Sequence, residues 1–204
     1  ILKKYNIKYN NYAEKYGSII ATISNSKYEF TSLREDYNQK GRSTNVIFTR
    51  DWKKDAARRD FTINAIYLSS NGQVYDYFNG IDDLLNKKVR FIGDINIRIQ
   101  EDYLRIFRFF RFLGCFNEIK IIQGYEDVLR NNIPNIFNYV NQNIMRVEII
   151  KMLKNPYAIN SFRDFTNPFQ KNDLIKMIYD LRNKKKIDSS FLKCIDEIEK
   201  LFLK

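Results

Sequence analysis

Arg58-Arg59-Asp60-Phe61-Thr62-Ile63-Asn64-Ala65 opens, and Glu101-Asp102-Tyr103-Leu104-Arg105-Ile106-Phe107-Arg108-Phe109-Phe110-Arg111-Phe112 closes, the stretch on which the reading of this chain turns. Each block interleaves arginines, carboxylates and apolar residues at helical spacing. Guanidinium forks suit phosphate oxygens, and a fixed carboxylate–arginine pair offers one acceptor and several donors to the edge of a base. The pattern points to a site for a flat, anionic ligand, and a nucleotide fits it best.

Working outward, the composition sets limits. A chain of 204 residues holds one large domain or two to three small ones, and an apolar fraction of 44% supports a real core. The formal charge of +11 favours a polyanionic partner, nucleic acid first. The lysines and asparagines are scattered, as a biased genome would leave them, whereas the arginines cluster. The two cysteines, Cys115 and Cys194, lack metal-ligand spacing and suit a reducing compartment, the cytoplasm. The absence of histidine removes imidazole bases, His-based triads and His metal sites together. No apolar run is long enough to span a membrane. The chain starts at Ile1 rather than Met, which reads as a truncated start.

Residues 1–16, rich in Lys, Tyr and Asn, read as a short helix. Gly17 to Ile23 and Tyr28 to Leu33 read as an antiparallel hairpin turning at Ser24-Asn25-Ser26-Lys27, with Glu29 and Thr31 on one face and Phe30 on the other. Arg34 to Thr44 is charged and aperiodic and reads as a mobile loop, followed by a short strand at Asn45 to Phe48. From an Asp51 N-cap the pattern turns helical through Trp52, Ala56, Arg59 and Ile63, which makes Asp60 and Asn64 neighbours one turn apart. Asn71-Gly72 between apolar runs signals a second hairpin. Asn79-Gly80 precedes one helical turn over residues 81–85, and Val89 to Gly93 looks extended. Beyond Gly93 the chain reads as all-helical. Ile106, Phe109, Phe110 and Leu113 form an apolar stripe, with further helices near 125–131, 141–154, 172–183 and 190–203.

The two central blocks, in this order and spacing, resemble the tRNA nucleotidyltransferase and poly(A) polymerase family of class II, bacterial type. Between them, Gly80-Ile81-Asp82-Asp83-Leu84 and Arg90-Phe91-Ile92-Gly93 resemble the family's Gly-x-x-Asp-Leu turn and Arg-x-x-Gly segment. Upstream, Gly17-Ser18 and Glu29-Phe30-Thr31-Ser32-Leu33-Arg34 look like two of its strands. The match covers about residues 15–113, and four ordered blocks are a specific signal.

The resemblance implies an α+β fold: part of a nucleotidyltransferase head with a small antiparallel or mixed sheet over 1–90, a helical neck over 91–155 and the start of a helical tRNA-binding body over 156–204. It implies that Asp102 and Arg105 read the incoming base of CTP or ATP. Arg59, Asp60 and Asn64 would hold triphosphate and ribose, and Arg108 would be a further nucleotide contact. On its own, Asp-x-x-Arg is most often a surface ion pair, and the neighbouring blocks in register favour the base-reading role. The loop from Arg34 would help the site change between C and A. The implied activity is Mg2+-dependent addition of CCA to tRNA 3′ ends. Poly(A) polymerase of the same family and a non-catalytic nucleotide- or RNA-binding module are the other readings.

Two departures qualify this expectation. The family holds its metals on an Asp-x-Asp strand, where i and i+2 carboxylates share one face. Here the acidic i, i+2 pair is Glu197 and Glu199, in a helical pattern, so the metal ligands are expected upstream of Ile1 and residues 1–204 are expected to be inactive alone. Glu29 reads either as an accessory carboxylate or as a solvent-facing strand residue. Asn143-Ile144 occupy the place of a family Glu-Arg pair ahead of Glu148 to Leu153, with Arg146 a candidate substitute. Lys184-Lys185-Lys186 reads as a solvated charge run or a phosphate contact.

Overall fold

A computed structural model describes residues 2–40, 43–166, 171–183 and 188–202, so the Lys184 to Lys186 run lies outside the described residues. The chain divides into two compact units, Ile1–Arg59 and Asp60–Lys204.

In the first unit, β1 (Lys8–Ala13), β2 (Ser18–Ile23) and β3 (Ser26–Thr31) form an antiparallel sheet in the order β1-β2-β3. The β2–β3 hairpin expected from the β-branched run is present, and Ser24 and Asn25 at its tip take positive φ of 48° and 64°. That conformation matches the twist of a two-residue hairpin. The stretch read as a helix over residues 1–16 instead holds the strand Lys8–Ala13 and one 3-10 turn at Glu14–Tyr16. Lys8 pairs with Thr22 and Asn10 with Ile20, so a β-ladder satisfies the backbone groups that a weakly periodic helix would have satisfied internally. The described part of the segment read as a loop over Arg34 to Thr44 is likewise strand. β4 (Arg34–Lys40) pairs antiparallel with β5 (Ser43–Phe48), Arg34 opposite Phe48. Cross-strand pairing orders a charged stretch whose apolar pattern alone shows no strand. Gly17, at φ 76°, closes the turn before β2, where an added Cβ would lie 2.5 Å from the Phe48 ring.

Helix α1 (Trp52–Ala57) is capped as expected by Asp51, whose Oδ1 accepts from the Lys53 and Lys54 amides at 2.8 and 3.2 Å. It is shorter than the periodicity suggests and does not continue to Ile63. Phe61 is extended (φ −121°, ψ 149°) and bridges Phe91. The Thr62 amide donates to Arg90 C=O and the Ile92 amide to Asp60 C=O, both at 3.0 Å. These backbone groups are claimed by the 88–93 segment, which ends the helical run.

The second unit begins with the hairpin β6 (Ile66–Leu68) and β7 (Val74–Asp76), then α2 (Gly80–Leu85), α3 (Ile95–Glu101) and α4 (Leu104–Leu113). α5 (Tyr125–Asn132), α6 (Ile136–Tyr139), α7 (Gln142–Leu153), α8 (Asp173–Asn183) and α9 (Ser189–Phe202) complete it, close to where the apolar spacing places them. α4 is the central helix. Its Ile106, Phe107, Phe109, Phe110 and Leu113 are buried, and Phe61, Phe91, Phe109 and Tyr125 pack ring on ring at centroid distances of 4.7–6.3 Å. Among the described residues no helix is long and apolar enough to cross a membrane.

Candidate functional site

In the first unit the arginines of the Arg58-Arg59 pair converge on Asp55, which is 1% exposed. Asp55 accepts from the Arg34 amide at 3.1 Å, from Arg58 at 2.8 Å and from Arg59 Nη2 at 3.2 Å. Asp36 adds ion pairs to Arg34 at 3.2 Å and to Arg58 at 3.8 Å. Asp55 does not stand out in the sequence, because an acid one turn before Arg58 and Arg59 looks like an ordinary helix-surface pair. Glu29 lies on β3 and lines, with its neighbours Phe30 and Thr31, a cavity of about 690 Å³ shared with Gly17 and Phe48. The Ser18 and Thr31 hydroxyls bond at 2.9 Å beside it. No group of three or more His, Cys, Asp or Glu that could hold a metal occurs among the described residues. Among the described residues the donor set does not fit a two-metal centre.

In the second unit Asp60, Asn64 and Arg108 form one cluster. The Asp60 carboxylate accepts from the Phe61 amide and Asn64 Nδ2, both at 3.0 Å, and pairs with Arg108. Burial pushes the Asp60 carboxyl up, but the hydrogen bond and charge of Arg108, with the Asn64 and Phe61 donors, outweigh it and hold the carboxyl below its ordinary range. Burial lowers the Arg108 guanidinium in turn, and Asp60 more than restores it. The i, i+4 relation of Asp60 and Asn64 is therefore realised, although a turn and not a continuous helix carries it.

Asp102 sits between helices. At φ −155° and ψ 104° it ends α3, and its Oδ1 accepts from the Leu104 amide at 3.0 Å to start α4. The sequence reading runs one helix from Asp102 through Leu113, and the structure begins it at Leu104. Arg105, one turn on, is 6% exposed, and its Nη1 donates to the Arg98 carbonyl at 2.7 Å and to Glu101 Oε2 at 2.5 Å. Glu101 also binds Arg98 at 2.7 Å. Arg105 is thus held against α3 by partners that its local spacing to Asp102 does not announce.

Two further groups support these residues. Asp83, 2% exposed, accepts from Thr62 Oγ1 at 2.8 Å and from Arg90 Nε at 2.9 Å, so the Arg58–Ala65, Gly80–Leu84 and Arg90–Gly93 blocks are tied at one carboxylate. Gly80 is required there, because an added Cβ would lie 2.2 Å from the Thr62 carbonyl oxygen. One turn along α4 from Arg108, Arg111 donates to Glu148 at 2.9 Å, and Lys151 binds the same carboxylate at 2.7 Å. Burial holds the Arg111 guanidinium below its ordinary value. Arg146, the candidate stand-in for the missing pair, lies beside Cys194, whose thiol burial pushes up against the lowering charge and hydrogen bond of Arg146.

Small antiparallel sheets come first and helices follow, with arginine–carboxylate pairs at Asp55, Asp60, Asp83 and Glu101. Residues 1–90 match the poly A polymerase head domain, as the motif blocks suggested. The chain is similar to CCA tRNA nucleotidyltransferase 1, mitochondrial, of Mus musculus (41% identical over 174 residues, 84% of this chain and 37% of the relative) and of Homo sapiens (55% over 105 residues, 52% and 24%). It is also similar to the CCA-adding enzyme of Staphylococcus epidermidis (34% over 156 residues, 76% and 38%). Among solved structures, the Bacillus stearothermophilus CCA-adding enzyme in complex with CTP superposes with a TM-score of 0.67 at 27% identity, over 76% of this chain and 37% of that one. A tRNA nucleotidyltransferase complexed with a primer tRNA and an incoming ATP analog shares the fold, with a TM-score of 0.63 at 23% identity over 93% and 58%. The chain spans 24–38% of the length of these curated relatives.

Proposed function

We propose that this chain is the nucleotide-selecting part of a tRNA nucleotidyltransferase of the CCA-adding type, which extends tRNA 3′ ends from CTP and ATP. One observation carries the reading: the Arg58–Ala65 and Glu101–Phe112 blocks are joined in one network through Asp60 and Arg108. In this reading Arg59, Asp60 and Asn64 serve the triphosphate and ribose, Arg108 is a further contact, and Asp102 and Arg105 read the base. Asp102 spends one oxygen on the Leu104 amide. A carboxylate is an acceptor-only group with several lone-pair sites, the chemistry that suits the amino group that C and A both carry. G and U present the opposite polarity and leave a group unpaired.

Residues 1–90 would then be head, 91–155 neck and 156–204 the start of the tRNA-binding body. Mg2+ would be the metal, held by carboxylates outside these residues, with Glu29 an accessory group at most. Cys115 and Cys194 are free thiols, which suits the cytoplasm. Relatives named mitochondrial make fractionation the test of compartment.

Equilibrium binding tests the reading. CTP and ATP should bind residues 1–204 more tightly than GTP and UTP. Equal binding of all four, or of none, overturns it. Magnesium-dependent addition of C or A to tRNA by residues 1–204 alone would overturn the placement of the metal ligands.

A further inference from the structure

We infer that Asp55 is a positioning residue that presents Arg59 to the phosphates of the nucleotide, a role that rests on the reading of Arg59 as a phosphate contact. Asp55 is buried at the C-terminal half of α1, and its two oxygens take Arg58 and Arg59 at once, at 2.8 and 3.2 Å. The Arg34 amide fixes the carboxylate from β4 at 3.1 Å. A staple between α1 and β4 needs only Asp55, Arg34 and Arg58, all at or below 16% side-chain exposure. Arg59 is added to that staple at 37% exposure, with its guanidinium at the water boundary.

The charges of the cluster support the same role. Arg34, Arg58 and Arg59 face Asp36 and Asp55, and Arg59 is the most exposed of the three arginines. Two guanidiniums one residue apart repel, and the buried carboxylate between them offsets that repulsion while fixing the direction of both forks. A fork held in advance loses less freedom when it meets a phosphate.

This makes a prediction whose sign separates positioning from net charge. Asp55→Asn keeps the shape and adds one unit of positive charge to the cluster. If charge alone governed binding, the variant would hold polyphosphate more tightly. If Asp55 positions Arg59, it binds more weakly, by about tenfold. The probes are CTP and inorganic tripolyphosphate, titrated into residues 1–204 at fixed ionic strength and followed by the single tryptophan, Trp52, which opens α1.

Both probes should weaken by the same factor in Asp55→Asn and in Arg59→Ala, and Asp55→Asn should add little on top of Arg59→Ala. Where the Asn variant does not fold by circular dichroism, Asp55→Glu decides. It keeps the charge and shifts the carboxylate by one methylene, and is expected to weaken tripolyphosphate as well. Loss in Arg59→Ala with unchanged or tighter binding in the folded Asp55 variants overturns the positioning role alone. Failure of the unaltered chain to bind tripolyphosphate, or indifference to Arg59→Ala, overturns the phosphate reading of Arg59 and this role with it.

Discussion

Asp60 and Arg108, forty-eight positions apart, form a carboxylate–guanidinium pair that fastens the turn after α1 to the middle of α4. Asp60 is 7% exposed, so it is ionised inside the protein only because Arg108, Asn64 and the Phe61 amide surround it. Two motif blocks that look like separate ligand-binding elements are therefore one assembly, each holding the other in place.

Removing one member should cost more than removing both. Arg108→Met strands a buried carboxylate and is expected to destabilise the chain by about 3 kcal/mol, the low end for a broken buried pair because Arg108 keeps some water contact. Asp60→Asn combined with Arg108→Met should recover part of that loss. Urea unfolding of the single and double variants measures it, and additive losses would contradict the coupling.

The same pair predicts how stability depends on pH. The folded-state pKa of Asp60 lies below its ordinary 3.8, so its stabilisation is fully present above 3.8 and is lost as pH falls through the lowered folded value. Acid unfolding should therefore be less steep below pH 3.8 in Asp60→Asn than in the unaltered chain. Parallel acid curves for the two would remove Asp60 from the list of groups that drive the transition.

Gly80→Ala tests the junction of the motif blocks. Its Cβ would meet the Thr62 carbonyl, a backbone atom fixed by the adjoining turn. The expected cost is about 1–3 kcal/mol, with loss of the Thr62–Asp83–Arg90 contacts. An alanine variant as stable as the parent would mean that α2 shifts freely against the turn.

Asp102→Ala separates base choice from tRNA binding. Discrimination of CTP and ATP against GTP and UTP should fall by about tenfold, the value of one unpaired buried group, while tRNA affinity changes little. Retained selectivity with collapsed tRNA binding would assign Asp102 to the RNA instead. The same variant removes the cap on the Leu104 amide, so a melting curve belongs beside the selectivity measurement.

Local pattern was enough for much of this protein. The stripe of Ile106, Phe109, Phe110 and Leu113 specifies α4, Asp51 specifies the start of α1, and Ser24-Asn25 and Asn71-Gly72 specify hairpins, because these signals depend on neighbours a few residues away. The ordered Arg58–Ala65 and Glu101–Arg105 blocks likewise carry the family likeness in one dimension. Other features depend on partners far along the chain. Lys8–Ala13 and Arg34–Lys40 become strands because a ladder partner takes up their backbone groups. α1 stops at Ala57 because Arg90 and Asp60 exchange hydrogen bonds with Thr62 and Ile92. The side-chain partnerships of the site are decided the same way. Arg105 turns to Glu101 and the Arg98 carbonyl, Asp60 to Arg108, and Asp55 to two arginines, since burial forces each charge to find its partner and spacing alone does not say which one is within reach.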